Sequence, residues 1–306
     1  MTAAWRPSRE VELVAGTPAG GGQDRPARAL IRVLENSGLI DVPLKLVNIP
    51  GRGGGNAWDH LARHPGDPHV LAINSPTLIT NRVLGVSPID DRDLTPLANL
   101  YTEYIAFLVR ADSPLRTAAD LLAALGKDAG SLTIAMATAI GNINHMALAQ
   151  ITRHAGGEPR ALALHVFDSA RHAVADVMAG KAEVAAITAV SAVPELESGG
   201  LRALAVSSPK RLPALYAATP TWHELGVDCV IGTWRGVIGA HGLADAQVEF
   251  WNDALRSATA STEWNAELAR QYWVNTWAGA AQMPALMHGE RATLSALLRD
   301  LALGAA

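Results

Sequence analysis

Apolar positions recur in two alternating rhythms along the first third of the chain. Residues 11–14 (VELV) form a short apolar run, interrupted only by Glu12, that predicts a short buried strand. The stretch 16–24 (GTPAGGGQD) breaks it, and Ala27, Leu30, Ile31 and Leu34 then recur at the spacing of one helix face. Asp24 is placed to cap that helix, and Pro26 is tolerated in its first turn. The grammar repeats: a strand at 44–47, a PGRGGG turn at 50–55, a short helix at 56–63, then a strand at 70–73 running into Asn74-Ser75-Pro76. Strand–turn–helix alternation of this kind predicts an α/β fold built on parallel sheet.

The middle of the chain continues in the same way. Strands are predicted at 104–109, 131–136, 161–166, 184–187 and 201–206. Helices are predicted at 117–125, 144–154, from Asp168-Ser169 as a cap to Met178, and at 190–197. The tail turns helical at 244–255, 262–270 and 282–301, with Leu294, Leu297, Leu298 and Leu301 as an apolar stripe. There is no short-period repeat and no low-complexity segment.

Composition narrows the function classes. At 306 residues the length corresponds to roughly two domains of about 150 residues. A 49% hydrophobic fraction supplies a large core and excludes disorder as the main state. No uncharged apolar run reaches the length of about 18 residues that a transmembrane helix needs. A net charge of −4 with no basic stripe argues against nucleic acid. The single cysteine, Cys229, removes internal disulfides, Cys-rich zinc sites and CxxC redox chemistry, and its apolar, strand-like setting predicts a buried thiol. Residues 1–10 lack the apolar core of a secretory signal, so the chain is read either as cytoplasmic or as one that has lost its signal.

The glycine clusters carry the chemistry. Gly20-Gly21-Gly22 ahead of a helix lets backbone N–H groups approach a ligand without Cβ obstruction. The first N–H groups of a helix lack internal partners and sit at the positive end of its dipole, so the turn suits an anion. The turn at 138–142 holds the same position at the head of a second helix. Two such turns facing each other would hold a carboxylate from both sides; each is also explained as a tight strand-to-helix connection.

Nucleotide and hydrolase motifs are incomplete. Gly51-x-Gly53-x-x-Asn56 and Gly20-x-Gly22-x-x-Arg25 lack the last glycine of a dinucleotide fingerprint, and no P-loop or GxSxG string occurs. His60 and His64 are four apart without the glutamate of HExxH, so no metal is expected. Asp24 and Asp168 are read first as helix caps, with a ligand ammonium or hydroxyl as the alternative for Asp168. His145 is either a capping residue or close to the ligand. Arg235 suits bidentate pairing with a carboxylate, or lies solvated on the surface. Trp234 lies where the chain crosses back between domains.

These strings together resemble the Bug-type solute receptors of tripartite tricarboxylate transporters, over residues 11–301. The segment 17–24 (TPAGGGQD) resembles the family's first ligand loop, and 48–56 (NIPGRGGGN) its N-x-PG-x-GG segment. LTPL at 94–97, FDSA at 167–170, VMAGKAEV at 177–184, RALAVS at 202–207 and TPTWHELG at 219–226 follow in family order. The resemblance implies a two-lobed periplasmic-binding-protein fold of type II, each lobe a mostly parallel sheet flanked by helices. Lobe one is expected at 1–109 plus 236–306 and lobe two at 110–235, crossing near Val109–Arg110 and Trp234–Arg235.

The implied function is capture of a small organic mono- or dicarboxylate by lobe closure, without catalysis or cofactor. Delivery to the membrane subunits of a transporter follows, by a monomer in the periplasm that does not insert in the membrane. Carried over residue by residue, the ligand-binding positions are Thr17, Ala19, Gly20, Gly21, Gly22, Asp24, Asn74 and Ser75 in the first lobe, and Thr138, Ile140, Gly141, Asn142, His145, Ser169 and Ala170 in the second, where Asp168 is added from its own chemistry. Trp234 and Arg235 join them from the residues' own chemistry. Gly141-Asn142 replaces a Gly-Ser pair in the second loop, where Asn142 still offers a side-chain amide, and three departures surround the ligand's distal end: Asp168 for a glycine, Arg171 for a proline and Arg235 for an aromatic residue. The alternatives are a cytoplasmic α/β enzyme acting on a carboxylate and a ligand-sensing subunit for a signalling partner.

Overall fold

The first of the predicted units folds as its apolar rhythm dictates. In the computed structural model, which describes residues 5–303, the chain runs β1 (Val11–Ala15), α1 (Asp24–Asn36), β2 (Leu44–Asn48), α2 (Gly55–Ala62), β3 (Val70–Asn74) and α3 (Thr77–Val83), then enters β4 (Thr95–Arg110). Residues 1–4, which open the segment read for a secretory signal, lie outside the described residues. β1 pairs in parallel with β2 and β3, so that Leu13 stands level with Leu46 and Leu71. On α1 the buried face centres on Leu30, Val33 and Leu34, leaving Ile31 at its margin. Fully burying one such aliphatic side chain contributes about 1.5–3 kcal/mol.

The second unit repeats the pattern with α4 (Ala118–Lys127), β5 (Thr133–Ala137), α5 (Ile143–His154), β6 (Ala163–Phe167), α6 (Ala170–Met178), β7 (Val184–Thr188), α7 (Val193–Glu197) and β8 (Leu201–Val206). β5 is central, parallel to β6 and β7, and the later half of β4 runs antiparallel to β7 and β8. The chain ends with β9 (Gly232–Gly239), α8 (Asp245–Ala260), α9 (Thr262–Gln271), β10 (Val274–Gly279) and α10 (Met283–Asp300). In the first unit β9 adds antiparallel to β3, and β10 antiparallel to the early half of β4. Each unit therefore has a parallel centre with antiparallel strands added where the chain returns.

One compact unit comprises residues 5–102 with Trp234–Ala296, the other Glu103–Thr233 with Leu297–Leu303. The expected crossings at 109–110 and 234–235 thus stand a few residues away, and the last turn groups with the second unit instead of the first. The physical reason is that the first crossing lies inside β4, a continuous strand with no linker to mark it. At the C-terminus an Arg153–Asp300 ion pair of 2.6 Å ties the last turn to α5.

β4 is far longer than the 104–109 expected. Its early half carries Asn99 and Thr102, which mask the strand pattern; both are buried, and the Asn99 Nδ2 and the Thr102 hydroxyl bond to Thr276 across from them. β10 escaped prediction because its register shifts between Asn275 and Ala278, breaking strict alternation. Cys229 is fully buried, as expected, but in an irregular segment before β9 and not in a strand. Its Sγ lies 3.7 Å from the Ala147 carbonyl, and burial pushes its pKa far up, which removes it as a nucleophile.

Candidate functional site

In each unit the predicted residues gather at the carboxyl ends of the parallel strands, where open α/β sheets bind ligands. In the first unit β1 ends in the glycine-rich loop, β3 ends in Asn74-Ser75, and β9, antiparallel to β3 with Gly236 opposite Asn74, brings Trp234 and Arg235 to the same edge.

The first loop is held together from inside. The Thr17 hydroxyl accepts from the N–H groups of Gln23 and Asp24, both at 3.2 Å, and so performs the capping that the sequence assigned to Asp24. Asp24 is instead the first residue of α1, almost wholly buried. Its carboxylate accepts from Gly20 N at 2.8 Å, Arg28 Nε at 2.8 Å and Asn48 Nδ2 at 2.9 Å. Burial opposes that charge, but the Arg28, Gly20 and Asn48 hydrogen bonds outweigh it and hold the carboxyl below the usual carboxylate range. Gly20 adopts φ +79°, a conformation that favours glycine, and Gly21 N donates to Pro18 O at 2.9 Å.

The N–H groups of Gly20 and Gly21 are therefore engaged within the loop. Among the described residues, those of Ala19 and Gly22 take no partner. Arg235 lies against this point: its Nε donates to Gly22 O at 3.2 Å, and its Nη2 is 3.0 Å from where a Cβ on Gly22 would stand. Asn74 is almost fully buried; its Oδ1 accepts from Ser75 N at 2.8 Å, while its Nδ2 donor has no partner. Trp234 is packed into the core of the unit, facing Glu290 of α10, whose carboxyl is pushed up by burial and partly restored by the indole.

In the second unit the turn after β5 is built on different chemistry. Asn142 caps α5 by accepting from His145 N at 3.1 Å, and its Nδ2 donates to Ala137 O at 2.7 Å. Gly141, at φ +80°, donates its N–H to His145 Nδ1 at 3.0 Å. That bond requires an unprotonated Nδ1, and burial holds the imidazole pKa below its ordinary value, keeping it neutral. His145 thus braces the turn. The N–H groups of Thr138, Ala139 and Ile140 have no partner among the described residues, and all three residues are exposed.

β6, parallel to β5 with Phe167 level with Ala137, ends beside that turn in Asp168, Ser169 and Ala170. Ser169, not Asp168, caps α6, its hydroxyl accepting from His172 N at 3.4 Å. Thr188 at the end of β7 and Ser207 after β8 both stand level with Ile105, Thr188 as its pairing partner and Ser207 as acceptor from its N–H at 2.9 Å. Ser208, next in line, is buried with an unpartnered hydroxyl. The sequence reading missed Ser208 and Arg25, whose buried Nε is likewise unpartnered. The available signal for Ser208 was a polar pair directly after the apolar run of β8.

His60 and His64 are otherwise engaged, His60 with Glu12 at 2.6 Å and His64 with the His60 carbonyl at 2.9 Å. Among the described residues no group of three or more His, Cys, Asp or Glu side chains is placed to hold a metal, and no helix is long and apolar enough to cross a membrane.

Comparison with known proteins agrees with this architecture. Residues 39–303 match the model of the "Tripartite tricarboxylate transporter family receptor". A relative from Pseudomonas sp. strain P51, the UPF0065 protein of the tcbD–tcbE intergenic region, is 30% identical over 281 residues, covering 90% of this chain and 81% of its own. The crystal structure of a TctC solute-binding protein from Polaromonas, without ligand, superposes with a TM-score of 0.81 at 27% identity, covering 96% of this chain and 99% of that one. An adipate-bound protein from R. palustris shares the fold with a TM-score of 0.82 at 23% identity, over 97% and 99% of the two chains.

Proposed function

The chain belongs to the receptor family of tripartite tricarboxylate transporters, with its two-lobed periplasmic-binding-protein fold, and on that premise we propose that it captures a small organic mono- or dicarboxylate by closure of its lobes. It then hands the ligand to the membrane subunits of such a transporter, acts in the periplasm and works without catalysis. One observation carries the reading. The first unit's edge carries two unpartnered N–H groups, of Ala19 and of Gly22, which lies against the Arg235 guanidinium, and the buried, unpartnered Asn74 Nδ2 at the end of β3. These are hydrogen-bond donors, at the head of a helix, which is the surrounding a carboxylate requires. Three further unpartnered N–H groups, of Thr138, Ala139 and Ile140, line the second unit's edge. That the adipate-bound relative of this fold takes a carboxylate adds support.

No observation favours the enzyme alternative. The Asp–His pairs at the described residues, Asp67–His69 and His165–Asp176, stand before β3 and within β6, away from the carboxyl-end clusters.

A thermal-shift panel of mono- and dicarboxylates tests the reading. Ligand at a hundredfold over its Kd stabilises the folded state by about 2.7 kcal/mol, which raises Tm by roughly 5 °C. A panel that leaves Tm unmoved throughout would overturn carboxylate capture.

A further inference from the structure

Asp168 is the charged group at the ligand-binding edges that the capture of a carboxylate does not explain. It follows directly on β6, beside Thr138 of the second turn, because Phe167 and Ala137 share a register position. It is exposed, and among the described residues its carboxylate accepts no hydrogen bond and makes no ion pair. Helix capping does not require it, since Ser169 caps α6. The basic group best placed to neutralise it is committed elsewhere: Arg171 donates to both carboxylate oxygens of Glu195, at 3.0 and 3.1 Å. His165, on the same strand, is bonded to Asp176 at 2.9 Å.

The two edges therefore differ in sign. The first unit offers Arg235, two amides and the Asn74 side-chain amide, and the one carboxylate there, Asp24, is buried and already satisfied. The second unit offers amides and an uncompensated negative charge. A ligand ending in a second carboxylate would meet repulsion at Asp168, and an apolar end would desolvate the charge with nothing in exchange.

We propose that this chain selects a carboxylate that also carries a positively charged amine, with Asp168 meeting the ammonium at the second unit's edge. The inference rests on the carboxylate-capture reading above. The ammonium end pairs with Asp168 in a charge-assisted hydrogen bond, beside the outward amides of Thr138, Ala139 and Ile140 in the same unit.

Isothermal titration of the full chain against matched acids tests it. The probes are ω-amino acids of three to six carbons with their hydroxy and unsubstituted analogues, and L-glutamate beside glutarate. Amine-bearing acids are expected to bind about ten- to a hundredfold more tightly than their matched analogues, the range for a hydrogen bond to a charged group. In Asp168→Asn that preference collapses, while the unsubstituted acids bind as before or better. The ligand-free variant keeps its Tm, because an exposed, unpartnered side chain has been changed. Equal binding of amino and hydroxy analogues, a preference for glutarate, or an amine preference that survives Asp168→Asn each overturns the proposal and leaves carboxylate capture standing. If no acid in any series binds, the capture reading falls and takes this one with it.

Discussion

In the first unit the strand-to-helix turn is organised around an ionised carboxylate; in the second, a turn at the same place in the topology is organised around a neutral imidazole. Asp24 gathers Gly20, Arg28 and Asn48, and His145 gathers Gly141 while Asn142 fastens the turn to Ala137. Both devices use up some backbone donors of the turn and leave others outward. They differ in what disturbs them. The carboxylate, held below its usual range, stays charged throughout the neutral and mildly acidic region, whereas the imidazole loses its acceptor as soon as it protonates. Two loops of like position can thus have unlike sensitivity to mutation and to pH.

The largest expected effect breaks the first device. Asp24→Ala removes the acceptor of Gly20 N and one of the two acceptors of Asn48 Nδ2, and is expected to lower stability by about 2 kcal/mol in denaturant unfolding. Next comes a change that spares the scaffold and strikes the outward donors. A Cβ on Gly22 meets only the flexible end of Arg235, so Gly22→Val should keep its Tm within a few degrees and weaken carboxylate binding by about tenfold or more, measured by calorimetry. Gly21→Val is the contrast: its Cβ would sit 2.7 Å from Thr17 Cβ and 2.9 Å from Pro18 O, so it should damage the cap itself and lower Tm.

Cap removal sharpens the comparison further. Thr17→Val and Asn142→Ala each delete a side-chain acceptor at a helix start, and each should cost about 1 kcal/mol in thermal unfolding.

The smallest effect concerns pH. The folded imidazole of His145 has a pKa below that of the unfolded chain, so the unfolded state binds more protons between the two values. Its contribution to stability is intact above about pH 6.5 and is lost progressively as the pH falls from there to the folded value. His145→Asn keeps an acceptor near the Nδ1 position and cannot titrate, and should flatten that part of the Tm–pH profile. An unchanged profile would place the acid sensitivity elsewhere.

The sequence made the parallel centres legible, because buried strands and glycine-rich turns leave local signals: β1, β5 and β7 fall within two residues of expectation at each end. The antiparallel additions to the first unit were not legible. β10 is irregular, and the early half of β4 hides buried polar residues whose partner, Thr276, lies far along the chain. At the candidate site the residue types were readable but not their engagements. Nothing local distinguishes an Asp24 closed in a network from an Asp168 left open, since the difference is made by Asn48 in one case and by Glu195 drawing off Arg171 in the other. For the same reason the glycines whose amides point outward could not be told from those whose amides turn inward.

The sixteen residues of β4 have one more consequence. Because the strand passes without interruption from one compact unit into the other, neither unit is a module that can be excised. A cut at residues 102–103 would part β3 from β9 and the early half of β4 from β10, leaving unprotected sheet edges in both halves. Separately expressed halves should aggregate, and co-expressed halves should recover only by reassociating through that strand. The architecture can be rearranged at its surface turns, by permutation or insertion, far more readily than it can be divided.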